Sequence, residues 1–137
     1  MNPPYLLDTC AALWIVAGEL RQPTIDLLSD ARREGLSTYV SPITAWEVGT
    51  LARKGRFRSS YTPQRWFERL ISLPGVALAE LSARTLMESS FLPGVIQADP
   101  ADRIIAATAR EFGFTVMTRD RPLLDYAAQG YLNAIAC

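Results

Sequence analysis

Histidine is absent from the 137-residue chain, and its absence removes several chemistries at once. Ser-His-Asp and Cys-His catalysis are excluded, and so are His₃ zinc centres and Cys₂His₂ fingers. Lysine is nearly absent, Lys54 being the only one. Cysteine is scarce. Cys10 and Cys137 lie at opposite ends of the chain, and the N-terminal MNPPYLLDT shows neither a basic n-region nor a long apolar h-region. Both therefore read as reduced thiols in a cytoplasmic protein. No uninterrupted apolar run reaches about 18 residues, so no membrane span is expected. Net charge is missing too, with 14 Lys+Arg against 14 Asp+Glu, and a general nucleic-acid-binding surface is not advertised. Catalysis is left to carboxylates, hydroxyls, Lys or Arg, or to a metal held by oxygen ligands.

What is present is the composition of an ordinary globular domain, 49% hydrophobic and 20% charged. Residues 1–137 read as one domain without internal repeats. YLLDT reads as a first strand, stopped backwards by Pro3 and Pro4, and Cys10 to about Val16 as a helix. A helical stripe from Pro23 to Arg33 ends at Gly35, and LSTYVS is a second strand. Ser41-Pro42 starts a helix to about Lys54, and Thr62-Pro63 starts another that stops before Pro74. VALAEL is strand-like, and Ser82 caps a helix through about Phe91. Asp99-Pro100 opens the helix PADRIIAATAREF, stopped by Gly113. FTVMT is a strand, Pro122 to Gln129 a short helix, and YLNAIA a last strand. Strands alternating with helices predict a three-layer α/β/α sandwich around a mostly parallel sheet. In such sheets the ligand crevice lies at the carboxyl ends of the strands.

Carboxylates gather at those ends. Asp8 closes the first strand, Asp120 follows FTVMT, and Asp99 and Asp102 open a helix. Glu47 stands with Ile43 and Leu51 on one face of its helix, where desolvation makes an uncompensated charge costly. Each has a plainer reading: Asp8 and Asp99 as helix caps, Asp102 as a dipole complement, Asp120 as a turn residue, Glu47 as a partner of Arg53 or Lys54. Together they form an oxygen-only set of the kind that suits Mg²⁺ or Mn²⁺. Packed together, such acids repel and raise one another's pKa unless a dication neutralises them.

Two further groups invite a reading. Arg53, Lys54, Arg56 and Arg58 form the basic cluster RKGRFR, either a solvated helix end or a phosphate-facing patch. Arg103 and Arg119 sit beside Asp102 and Asp120 and add cations to the same rim. Trp46, Leu51, Trp66 and Phe67, with Leu27 and Leu28, are either core or an exposed groove for a partner segment.

LLDT, SPITAWEV, DPADRIIAATA and VMTRD occur in that order, and with them the whole chain resembles PIN-domain proteins, in particular VapC-type toxins of bacterial toxin–antitoxin pairs. The resemblance implies an Mg²⁺- or Mn²⁺-dependent endoribonuclease, commonly dimeric and held inactive by a small cognate antitoxin, for which the apolar groove would be the seat. It assigns Asp8, Glu47 and Asp102 to the family's acids and Asp120 to the fourth, more variable one. In some relatives that acid comes a few residues later, where this chain has Leu123. Asp99 would be secondary, Thr118 would bond a water or phosphate, and Thr9 would brace Asp8. Other classes fit less well. A haloacid-dehalogenase-type site needs a second Asp where Cys10 stands, a receiver domain needs a late lysine, and a dinucleotide fold needs Gly-x-Gly-x-x-Gly. A degenerate PIN domain serving only as an RNA- or protein-binding module is the remaining alternative.

Overall fold

The computed structural model describes residues 2–137. Five short strands form one parallel sheet: β1 (Tyr5–Leu7), β2 (Thr38–Val40), β3 (Val76–Leu78), β4 (Thr115–Thr118) and β5 (Asn133–Ala136). Their order is β3-β2-β1-β4-β5, so β1 is central. Leu6 sits opposite Tyr39 of β2 on one side and Val116 of β4 on the other. Seven helices join the strands: α1 (Thr9–Ala17), α2 (Gln22–Arg33), α3 (Pro42–Arg53), α4 (Pro63–Ser72), α5 (Ala83–Glu88), α6 (Pro100–Phe112) and α7 (Arg121–Ala128). This is the three-layer α/β arrangement that the alternating pattern predicts.

The two-residue period of the strands divides the core. Tyr5 and Leu7 of β1 and Met117 of β4 point to one face, where Ala11, Ala12, Val48, Trp66 and Leu70 of α1, α3 and α4 cover them. Leu6 and Val116 point to the other, against Ile105, Ala106, Leu123 and Tyr126 of α6 and α7. Helix boundaries follow the capping chemistry. Ser41 accepts from the Ile43 amide at 3.1 Å and Thr62 from the Arg65 amide at 3.2 Å, and Gly113 ends α6 in the left-handed region at φ 72°.

Several boundaries differ from expectation, and LSTYVS, FTVMT and YLNAIA contribute only Thr38–Val40, Thr115–Thr118 and Asn133–Ala136. The first strand stops at Leu7, because Asp8 already caps α1 through the Ala11 amide. VALAEL contributes only Val76–Leu78 to the sheet. The helix after Ser82 ends at Glu88, and Phe91 lies beyond it, 83% exposed. Among the described residues no helix is long and apolar enough to cross a membrane.

Following the strand order outward from β1, the chain first fills one side of the sheet with β2 and β3, then crosses over to β4 and β5. The gap between the carboxyl ends of β1 and β4 is therefore the topological switch point, where parallel sheets open a crevice.

Candidate active site

Asp8 occupies that switch point. It follows the last residue of β1, and its amide donates to the Met117 carbonyl of β4 at 3.2 Å. Its carboxylate is 4% exposed and held at both oxygens: Oδ1 accepts from the Ala11 amide at 2.8 Å, and Oδ2 from the Thr118 hydroxyl at 2.5 Å. The same Thr118 oxygen accepts the Asp120 amide at 2.9 Å. Thr118 thus orients two acids at once. Its hydroxyl proton is given to Asp8.

Asp8, Glu47, Asp99, Asp102 and Asp120 all line one cavity of about 480 Å³. They come from separate segments: the β1–α1 junction, the middle of α3, the start of α6, and the β4–α7 junction. Thr9, expected to brace Asp8, turns the other way. Its hydroxyl donates to Glu47 Oε1 through a short hydrogen bond and meets the Thr44 hydroxyl at 3.1 Å. An ionised carboxylate only accepts, so Thr9 must give its proton to Glu47 and receive one from Thr44. Thr44, fully buried, was not singled out in the sequence. It lies three residues before Glu47, one turn away on the same helix face, and that spacing is the signal that could have found it.

The plainer readings separate at this point. Asp8 and Asp120 do cap helices, Asp120 through the Leu123 amide at 3.4 Å, and they line the cavity as well. Asp99 precedes α6 but makes no side-chain capping bond. Glu47 pairs with neither Arg53 nor Lys54, since the ion pairs among the described residues are Arg33–Asp30, Arg84–Glu88 and Arg121–Asp125. Leu123, where some relatives carry an acid, is fully buried.

Crowding shows in the proton affinities. Burial, and after it Asp120, Glu47, Asp8 and Asp99, push the Asp102 carboxyl up to about 7. Burial also raises Asp8, while its bonds from Thr118 and Ala11 pull it back. Glu47 is raised by burial and then by Asp8, Asp99 and Asp120, against the lowering bond from Thr9. Cys10, on the same cavity, is pushed up to about 11 by burial and then by the same acids, led by Asp8. Among the described residues no three of these groups are drawn into a ready metal cage. The donors are nonetheless all hard oxygens facing one space, the set that fits Mg²⁺ or Mn²⁺.

The predicted cations divide. Lys54 and Arg56 line the acid cavity, and Arg58 lines a neighbouring one. Arg53 is exposed in the last turn of α3 and lines neither. Arg103 leaves the rim: its guanidinium donates to the Ser89 and Ile96 carbonyls at 3.3 and 3.2 Å, bracing the segment between α5 and α6. Arg119 donates to the Cys137 carbonyl at 2.7 Å and stacks over Trp14 at 3.9 Å, so its charge near Asp8 is tethered.

The apolar residues divide too, with Leu51 and Trp66 on the lining of a second cavity beside the acids. Trp66 is 2% exposed and belongs to the core, edge-on to Phe57 at 6.0 Å. Phe67 packs half-buried against the same cluster, as do Leu27 and Leu28. Only Trp46, 61% exposed, and Leu51 border the acid cavity.

A family model described as PIN domain matches residues 5–129. Ribonuclease VapC22 of Mycobacterium tuberculosis is 31% identical over 121 residues, 86% of this chain and 88% of the relative. Two solved structures share the fold. VapBC2 from Rickettsia felis bound to a DNA fragment has TM-score 0.64 at 15% identity, over 96% of this chain and 97% of that one. A toxin–antitoxin complex from Klebsiella pneumoniae has TM-score 0.57 at 20% identity, over 96% of each. With the family model spanning nearly all of the sheet and its acid-lined switch point, the chain belongs to the PIN-domain family.

Proposed function

We propose that this protein is a divalent-metal-dependent endoribonuclease and the toxin of a type II toxin–antitoxin pair. The carrying observation is the convergence of Asp8, Glu47, Asp102 and Asp120, from four separate segments, on one cavity, with none of the four in an ion pair among the described residues. The relative named a ribonuclease supports RNA as substrate, and the toxin–antitoxin complexes of like fold support a small antitoxin as partner. Asp8 and Asp102 would hold the ion directly, with Glu47 and Asp120 positioning water or a second ion. When bound, Mg²⁺ or Mn²⁺ supplies neutralisation of these acids and polarisation of the phosphodiester and of the attacking water. The protein's share is to fix the acids: Thr118 and the Ala11 amide hold Asp8, and Thr9 holds Glu47. Lys54 and Arg56 on the cavity wall would meet flanking phosphates. The antitoxin would seat near Trp46 and Leu51, and a cytoplasmic homodimer is the assembly that the family resemblance implies.

Purified, antitoxin-free protein should cut RNA when Mg²⁺ or Mn²⁺ is supplied and stop when the ion is chelated. Undiminished cleavage by rigorously metal-free protein would overturn the reading.

A smaller effect is expected at Thr44. Thr44→Val removes the hydroxyl that feeds Thr9, leaving Thr9 to hold Glu47 unaided. Groups that orient ligands through one intermediary typically matter by about 10- to 100-fold, and kcat/KM for RNA should fall in that range. The fold should lose no more than about 1 kcal/mol. Thr44→Ser should restore the rate, and a Val variant as active as the parent would show that Thr9 suffices.

A further inference from the structure

From Val48 to Phe67 the chain contains no acid, yet it carries Arg53, Lys54, Arg56, Arg58 and Arg65. In a protein of zero net charge this is a strong local excess of one sign, of which the functional reading uses only Lys54 and Arg56. Arg53, Lys54, Arg56 and Arg58 are exposed, and their side chains make no ion pair or hydrogen bond among the described residues. A second cavity of about 530 Å³ lies against this stretch, walled by Trp14, Phe57, Tyr61 and Trp66, edged by Arg56 and Arg58, with one carboxylate, Glu19, on the same lining. It adjoins the acid cavity, with Leu13, Leu51 and Arg56 lining both. Tyr61 is 39% exposed at its mouth, with Arg69 over its ring at 5.7 Å.

Flat rings beside cations form the composition that binds single-stranded nucleic acid: each base offers a face to stack, and each phosphate a charge to pair. An apolar protein segment would find the rings useful but would leave two guanidinium groups unmatched. A polyanion crossing the acid cavity matches them, and it carries bases that must go somewhere next to the scissile phosphate. Resting on the ribonuclease reading, we propose that this second cavity receives an unpaired nucleobase adjoining the cleaved bond. Tyr61 stacks on the base, and Arg56 and Arg58 hold the phosphates on either side. The enzyme would thereby require local single-strandedness at one fixed position from the cut.

The experiment uses the full chain carrying Asp8→Asn, so that RNA is bound and not cut, with Mg²⁺ present. A single-stranded oligonucleotide containing the mapped cleavage site is made with an abasic residue at each position in turn. Binding is followed by fluorescence anisotropy. One position next to the cut should lose about tenfold in affinity when abasic. Tyr61→Ala should lose a similar factor on intact RNA and become indifferent to that abasic position, while Tyr61→Phe should behave as the parent. Tyr61 is exposed, so its removal leaves the core intact, and circular dichroism checks this. A flat abasic scan, or intact binding by Tyr61→Ala, overturns the subsite even where the parent cuts RNA. Loss of antitoxin binding in Tyr61→Ala with RNA binding unchanged also overturns it, making the cavity a protein groove. Failure of the metal-supplied parent to bind or cut RNA at all would instead sink the ribonuclease reading beneath it.

Discussion

Replacing Asp8 by Asn is expected to lower RNA cleavage by about a thousandfold, a loss of roughly 4 kcal/mol of transition-state stabilisation. The substitution keeps the shape of the side chain but removes its charge, and it also disturbs the bonding. Both oxygens of Asp8 accept, from the Ala11 amide and from the Thr118 hydroxyl. An Asn amide oxygen can satisfy one of these donors, and its NH₂ then faces the other. The likeness in size should leave the fold intact, while Thr118 turns and releases its hold on the Asp120 amide. Asp102→Asn is expected to cost cleavage comparably for a simpler reason: its carboxylate makes no hydrogen bond among the described residues, so charge toward a cation is its contribution. Calorimetric titration with Mn²⁺ should show weakened binding in both variants. Cleavage within tenfold of the parent together with unchanged Mn²⁺ affinity would remove these two residues from the centre.

The second large effect lies in stability. Asp102 is pushed up to about 7, and Asp8 and Glu47 are raised, in each case chiefly by burial. In the unfolded chain these groups titrate near 4. Between about pH 4 and pH 7 the folded protein therefore keeps protons that the unfolded chain has released. Unfolded minus folded proton number is negative there, and stability must fall as pH rises. The contribution is fully present below about pH 4 and is gone above about 7. Asp102 is partly solvated, so screening reduces its share to about 1–2 kcal/mol. Metal-free protein should accordingly melt at lower temperature at pH 7.5 than at pH 5.5. Mg²⁺ at a hundred times its dissociation constant should return about 2.7 kcal/mol. Asp102→Asn should stabilise the metal-free protein at pH 7.5 and respond little to Mg²⁺. Thermal melts across this range, with and without Mg²⁺, give the answer, and a profile that is flat without metal would contradict the crowding.

Much of this was legible before the structure. Ser41-Pro42, Thr62-Pro63 and Asp99-Pro100 each mark the first turn of a helix, because proline fixes the entry dihedral and needs no donor there. The acids at strand ends were legible too, since parallel order sends every such end to the same edge. Strand length was not: Thr9 and Phe114 are buried neighbours that continue a strand's pattern, yet Thr9 opens α1 and the Phe114 amide bonds back to Ala109 of α6. The tryptophans show a second limit. Trp66 lies four residues before Leu70 on the inward stripe of α4. Trp46 lies between the buried Thr44 and Val48 of α3, about 200° around the helix from each. Composition treats the two alike, and only the helix face separates them. Arg103 illustrates a third limit, because its partners are main-chain carbonyls of a segment without periodicity.

Strand pairing carries one more implication, and it concerns timing. Asp8 gains its orienting hydroxyl from Thr118, and β1 lies against β4 across more than a hundred residues of intervening chain. During synthesis the N-terminal two-thirds can emerge with Asp8 and Glu47 already made, yet the acid cavity is incomplete without Asp102 and Asp120. The ribosome must deliver the chain past Asp120 before the last acid and its helix can join, and contacts so distant in sequence form slowly. If the chain is the ribonuclease proposed, a nascent chain that has not reached Asp120 lacks one of the four acids and would spare the RNA of the machine that makes it.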